Sequence, residues 1–145
     1  SNIKPGKKIL NLNNMCLSNL NLKYINLAGT EMAKVSLNKT DLSKADLSMV
    51  NLAEADFKGA YLNETDFRGA DLSMADLRGI DLTLVKLDGA NMSKTKLNAS
   101  IWTKNTIKKT IERLREASFD YLLVRENDGL SIVYKNELLC DNLFS

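Results

Sequence analysis

Residues 40–59 read TDLSK ADLSM VNLAE ADFKG, four consecutive five-residue units with a large apolar side chain at the third position of each. The same spacing extends without interruption from Leu12 to Leu97. A step of five residues scatters side chains around an α-helix and alternates them between the faces of a continuous β-strand. We therefore expect the chain to turn at every unit, so that all the large apolar side chains point into one interior.

The first position of each unit supplies a second inward side chain, because residues two apart in an extended segment share a face. This position holds mostly Ala, Val, Thr and Ile, whereas the other positions hold mostly Asp, Asn, Ser, Lys, Glu and Gly. The polar set is typical of an outer surface and its turns. The predicted core includes Leu42, Leu47, Leu52, Phe57, Leu62, Phe67, Leu72, Leu77, Leu82 and Trp102.

Units such as ADLSM at 45–49, ADLSM at 70–74 and ADLRG at 75–79 resemble the pentapeptide-repeat family, whose consensus is A(D/N)LXX. The resemblance implies an all-β fold, a right-handed quadrilateral β-helix with four units per coil. Eighteen units then give about four and a half coils. Some members are bacterial effectors secreted into host cells, and a secreted-effector type is one expectation for this chain.

Three segments are expected along the 145 residues: a lead at 1–9, the β-helix at 10–102 and an appendage at 103–145. The lead begins with Ser1-Asn2, which resembles the remnant of a tag, and is consistent with a fragment of a longer protein. The appendage is expected to be a small α/β unit. It would contain a capping helix over about 105–118, a hairpin over 119–134 with a second helix at 119–124 as the alternative, and a short amphipathic helix over 136–144.

The composition argues against several functional classes. The chain has no His, and its net charge of +2 is spread evenly, with eleven acidic and ten basic residues in the repeats. Neither catalytic nor metal-ligand spacing is present, so we predict no enzyme activity, no cofactor and no metal. Cys16 and Cys140 are expected to be reduced, which favours the cytoplasm, or the host cytosol for a secreted effector. No apolar run is long enough to span a membrane, and no nucleic-acid partner is predicted.

Two outward features are candidate sites. Asp at the second position of seven units (41, 46, 56, 66, 71, 76 and 81) forms either an acidic stripe that mimics DNA or a set of turn supports, and we favour turn supports. Tyr24, Tyr61 and Leu84 fall on one predicted side of the coil and form a candidate partner-binding face.

The leading functional hypothesis is a non-enzymatic scaffold that binds a protein partner, as a monomer or a homodimer. Within it, the chain would be the binding domain of a secreted effector. The alternatives are a DNA-mimicking regulator of a topoisomerase such as gyrase and a substrate-binding fragment of a larger enzyme, such as an effector ubiquitin ligase. Both alternatives come from the family resemblance rather than from the residues.

Overall fold

The computed structural model of the protein describes residues 10–97, 106–118, 121–126 and 129–134. Over the repeats, parallel bridges join residues twenty apart, from Asn11↔Glu31 to Asp76↔Lys96. Four units therefore make one turn of the chain, and each unit forms one side through a single bridge residue. The sides are too short for continuous strands, but their bridges stack in parallel along the solenoid, with a break at Asp81.

Each corner is a tight turn, and at every described corner except that of Leu84 the last residue of the unit has positive φ. Glycines adopt this conformation, but so do Lys44 (φ 59°) and Met49 (φ 58°). The left-handed conformation costs a residue with a Cβ roughly 1–2 kcal/mol. The hydrogen bonds to the neighbouring turns offset that strain, because corner N–H groups such as that of Met49 donate to the next turn (2.9 Å to Arg68 O).

The interior is filled by the third-position side chains. Phe57 and Phe67 face each other across one turn, with their ring centroids 5.8 Å apart and their planes at 89°. This edge-to-face contact stabilises an aromatic pair by roughly 0.5–1.5 kcal/mol beyond burial. The predicted core residues in the described repeats are all buried: Leu42, Leu47, Leu52, Phe57, Leu62, Phe67, Leu72, Leu77 and Leu82.

The helix α1 (Ile107–Glu116) leads into a segment that continues the sheet after the repeats. Ser118 bridges to Asn91, and Met92 N–H donates to Ser118 O at 2.7 Å. The side chains of Leu114 and Ala117 are buried in the same core as the repeats. The last residues of α1 and the segment after it therefore cover part of the final turn, as a capping element would.

Beyond α1, strands β1 (Tyr121–Glu126) and β2 (Gly129–Tyr134) pair as an antiparallel hairpin, with Tyr121 opposite Tyr134. The alternative of a second helix at 119–124 is wrong, because a strand occupies most of that range. Its β-branched and aromatic residues favour a strand more strongly than its short apolar run favours a helix. Trp102, Cys140 and the expected helix over 136–144 lie outside the described residues.

Candidate binding groove

The structure brings Tyr24, Tyr61 and Leu84 to the wall of one groove, which we call the Tyr61 groove. It has a volume of about 730 Å³ and lies on the side formed by the units centred on Leu22, Leu42, Leu62 and Leu82. The side chains of Tyr24, Tyr61 and Leu84 are 70%, 62% and 50% exposed. The groove is further lined by Lys23, Asp41, Ser43, Lys44, Gly59, Ala60, Leu62, Asn63, Gly79, Ile80 and Asp81.

The floor of the groove coincides with a local gap in the hydrogen-bond ladder. Where both partners lie within residues 10–97, ladder N–H groups donate to carbonyls nineteen residues later or twenty-one residues earlier. Four such bonds within this range are not made, those from the N–H groups of Gly59, Leu62, Glu64 and Asp81. We call this interruption the ladder gap. It separates residues 59–64 from residues 78–83, and the regular pattern resumes at Phe67.

A different turn at Leu84 accompanies the gap. Among the described residues at the last position of a unit, Leu84 alone lacks positive φ. The turn stays closed, because Val85 N–H still donates to Leu82 O at 3.3 Å. A turn with these properties differs from its neighbours by rotation of its central peptide, as type I differs from type II.

The rotated peptide explains one of the missing bonds. In the regular pattern Thr83 O would accept from Glu64 N–H of the preceding turn. Instead it accepts from Arg113 Nε of α1 at 3.3 Å. The hydroxyl oxygen of Thr83 is buried and has no hydrogen-bond partner among the described residues. The helix after the repeats thus holds one peptide of the groove side away from its usual partner.

Two first-position side chains beside the gap are slightly more exposed than an equivalent one on another side. Ala60 and Ile80, which face each other across it, are 8% and 6% exposed. Ala70, at the same position on another side, is 1% exposed. Both side chains nevertheless remain buried beneath the groove.

Charges around the groove are balanced. Lys23 Nζ lies 3.6 Å from an Asp41 carboxylate oxygen, and Lys44 Nζ lies 3.8 Å from that of Glu64. Lys44 Nζ also stands 5.7 Å from the centre of the Tyr24 ring, within the range of a cation–π contact. The Ser43 backbone N–H, and to a smaller extent Lys23, hold the pKa of Asp41 below its ordinary value. The groove therefore combines aromatic and apolar walls with little net charge.

The Asp residues at the second position support the turns. Each accepts a hydrogen bond from the backbone N–H two residues later, at 2.9–3.1 Å, as at Asp71 and Asp76. At Asp66 and Asp76 the carboxylate also accepts from the guanidinium of Arg68 or Arg78 (2.7 Å each), which lowers the carboxyl pKa. These carboxylates are engaged locally and act as the turn supports that the sequence analysis favoured.

The described ranges contain no cluster of three or more His, Cys, Asp or Glu side chains that could hold a metal ion. They also contain no helix long and apolar enough to cross a membrane. Cys16 is exposed, and its bonds to Ser18 lower the pKa of its thiol.

Sequence reasoning found the groove walls but missed the ladder gap and Arg113. The available signal was Leu84, a branched apolar residue at a position that Gly, Lys, Asn and Glu occupy in many other units. The sequence did not indicate the contact of Arg113 with Thr83, because the two residues lie thirty positions apart in the chain.

The repeats match a known protein family. Residues 11–48, 45–83 and 70–101 match the family described as pentapeptide repeats, in eight copies. This match confirms the family resemblance and, with it, the right-handed β-helix solenoid. No curated protein matches the chain.

Three similar solved structures are two pentapeptide repeat proteins and one fluoroquinolone resistance protein. HetL, involved in heterocyst differentiation regulation in Nostoc sp. strain PCC 7120, is 28% identical with a TM-score of 0.36; the match covers 61% of this chain and 39% of HetL. A pentapeptide repeat protein of the Arabidopsis thaliana thylakoid lumen is 20% identical, with 82% and 70% coverage and a TM-score of 0.36. QnrB1, a plasmid-mediated fluoroquinolone resistance protein, is 18% identical, with 76% and 64% coverage and a TM-score of 0.31.

Proposed function

Because the chain belongs to the pentapeptide-repeat family, we propose that it is a non-enzymatic scaffold that binds a protein partner through the Tyr61 groove. The observation that carries the proposal is the placement of Tyr24, Tyr61 and Leu84, which are exposed around one concave surface. Tyrosine is enriched at protein interfaces because its ring buries a large apolar area while its hydroxyl remains able to form hydrogen bonds.

The rigidity of the support favours binding. Leu42 and Leu82, at the centres of two groove-side units, are fully or almost fully buried, so the surface is built on a packed interior. A surface that is already ordered loses little conformational entropy when a partner binds. The proposal therefore needs no rearrangement of the repeats.

The balance of charge favours a protein over a nucleic acid. Binding to a phosphate backbone requires several cationic groups that are free to contact phosphates. Lys23 and Lys44, the cations of the groove, already lie beside carboxylates. An apolar aromatic surface with paired charges instead matches the core of a protein interface.

The proposal also concerns the kind of protein to which the chain would belong and the compartment in which it would act. We propose that the chain is the partner-binding domain of a larger bacterial protein, of the secreted-effector type, acting in the bacterial or host cytosol. The family resemblance supports this setting. The exposed thiol of Cys16 is compatible with a reducing compartment.

The test compares two double variants with the wild-type chain in quantitative affinity capture from bacterial and host-cell lysates. Tyr61→Ser/Leu84→Ser removes apolar area from the groove, whereas Met49→Ser/Met74→Ser removes exposed apolar side chains that do not line it. We expect a partner captured by the wild type to be lost with the groove variant and retained with the methionine variant. Equal capture by both variants would reject the groove as the binding surface.

A further inference from the structure

We infer that the first turn of the solenoid, residues 10–29, binds the first turn of a second copy of this chain, end to end. The two ends of the repeats differ, because α1 and Ser118 cover part of the last turn, whereas no described residue covers the first. The inference goes beyond the proposed function, since it concerns the end of the solenoid and not the Tyr61 groove on its side.

The inward side chains of the first turn are exposed, although their equivalents in later turns are buried. Leu10, Met15 and Leu20 are 55%, 45% and 43% exposed, whereas Val35, one turn after Met15, is 1% exposed. The third-position side chains of this turn are also only partly buried at Leu12, Leu17 and Leu22. The end of the core therefore forms an exposed apolar surface, which is typical of an interaction site.

The backbone of the first turn forms an open edge. In later turns the second-position N–H donates to the preceding turn, as Glu31 N–H does to Leu10 O at 2.9 Å. The N–H and C=O groups of Asn11, Cys16 and Asn21 have no such backbone partner among the described residues. Because ladder bonds run along the solenoid axis, these groups face outward from its end. An open edge of this kind is a template for pairing with another chain.

The first turn is almost free of charge. Lys23 is the one charged residue in 10–29, and its Nζ lies 3.6 Å from an Asp41 carboxylate oxygen of the second turn. The second turn, residues 30–49, carries six charged residues. Support of the turns does not explain the difference, because Asn21 and Asn26 accept from the N–H two residues later (3.2 and 3.0 Å) as Asp does elsewhere.

This neutrality favours a second copy as the occupant. In a contact with twofold symmetry each surface meets its own copy, so that any unpaired charge would face a like charge. A twofold axis perpendicular to the solenoid also makes the two open edges antiparallel, and edges with both N–H and C=O groups are then complementary. The repeat pattern supplies no preceding turn as an alternative, because counting back from Leu12 in steps of five gives Lys7 and Asn2.

The test measures the association of the full chain by sedimentation velocity from about 1 to about 100 µM, with a thiol reductant to prevent disulfides between exposed Cys16 side chains. Association is measured in 0.15 M NaCl, which screens the charges of Lys4, Lys7 and Lys8 beyond about 8 Å. Two variants place like charges on the first turn, Met15→Asp/Leu20→Asp and Met15→Lys/Leu20→Lys. The matched control, Met49→Asp/Met74→Asp, changes exposed side chains outside that turn.

We expect the wild type and the control to reach twice the 16.2 kDa of one chain. Each first-turn variant alone should dissociate, with a dissociation constant raised by roughly a hundredfold or more, and a mixture of the two should associate again. Circular dichroism should show the same fold for all four chains.

A measurement on the wild type alone covers the case in which a variant does not fold. Hydrogen exchange at Cys16 and Asn21 should slow by roughly tenfold between the lowest and the highest concentration. Exchange at Asp76, whose N–H already donates to Ala55 O at 2.9 Å, should not change.

A wild type that keeps the mass of one chain at the highest concentration would overturn the inference. Equal association of the control and folded first-turn variants would overturn it too, as would folded variants that do not associate on mixing or unchanged exchange at Cys16 and Asn21. None of these results depends on the capture of a partner by the Tyr61 groove, so failure here is distinguishable from failure of the proposed function.

Discussion

Arg113 Nε donates a hydrogen bond to the carbonyl oxygen of Thr83 at 3.3 Å, the oxygen that Glu64 N–H would reach in a regular ladder. A side chain of α1 and a backbone amide of the repeats thus compete for one acceptor. The turn at Leu84 has the orientation that allows Thr83 O to contact Arg113, and this turn borders the ladder gap. The helix that covers the last turn therefore also shapes the Tyr61 groove.

Removing the guanidinium tests that competition. In Arg113→Met, Thr83 O loses its donor on α1, and we expect it to rotate back toward Glu64 N–H. Hydrogen exchange at the Glu64 amide should slow by about tenfold, which corresponds to roughly 1.4 kcal/mol of added protection and is typical of one hydrogen bond. Arg115→Met, an exposed change on the same helix, should leave this exchange rate unaltered. Unchanged exchange at Glu64 in both variants would show that Leu84, rather than Arg113, determines the turn.

The aromatic pair should be essential for stability. Phe57 is fully buried and packs edge-to-face on Phe67. Phe57→Ala should lower the free energy of unfolding by about 3–5 kcal/mol, because it leaves a cavity that the surrounding turns cannot close. Tyr61→Ala, which removes a ring of similar size from the surface, should change it by less than about 1 kcal/mol. Urea denaturation measures both, and similar losses for the two variants would contradict the inward placement of the third-position side chains.

Two glycines at equivalent corners separate backbone strain from side-chain contact. Gly69 and Gly89 have φ near 70°, but a Cβ at Gly69 would meet Met49 Sδ, whereas a Cβ at Gly89 would meet nothing within 4 Å. Each Gly→Ala change should cost about 1 kcal/mol from the left-handed conformation. Gly69→Ala should cost a few tenths of a kcal/mol more, and a double-mutant cycle with Met49→Ala should remove the excess. An excess that persists without the Met49 side chain would reject this explanation.

Acid should weaken the turns at Asp66 and Asp76. The guanidinium groups of Arg68 and Arg78 hold the pKa of these carboxyls below the ordinary value of 3.8. A carboxyl with a lowered pKa in the folded state stabilises the fold above that ordinary value, and its contribution disappears as the pH falls through the lowered pKa. The free energy of unfolding should therefore decline below about pH 4.

Asp66→Asn/Asp76→Asn isolates this charge effect. The amide oxygen can still accept from the backbone N–H two residues later, as that of Asn91 accepts from Ser93. Denaturation at pH 7 and below pH 4 should show a smaller acid loss for the variant than for the wild type. The difference should shrink in 1 M NaCl, because both arginine side chains are 55% exposed. Identical acid losses would contradict the assignment.

The periodicity of the chain predicted much of this architecture. Large apolar residues at every fifth position predicted a chain that turns at each unit, and the four units per coil implied by the family resemblance placed Tyr24, Tyr61 and Leu84 on one side. The helical spacing of apolar residues over 107–117 also predicted α1, and β-branched and aromatic residues around a central Asp-Gly predicted the hairpin. The missing bond between Glu64 N–H and Thr83 O could not be predicted, because Thr83 O makes a tertiary contact with Arg113. The branched Leu84 indicates that this corner departs from the left-handed turn, but not which donor reaches the freed carbonyl oxygen.

Residue-resolved hydrogen exchange of the wild-type chain tests the ladder gap most directly. The amides of Leu62, Glu64 and Asp81 should exchange at least tenfold faster than those of Leu72, Met74 and Asp76, which occupy repeat positions of the same type and make their ladder bonds. Equal protection of the two sets would show that the ladder is continuous on this side and would contradict the ladder gap at the Tyr61 groove.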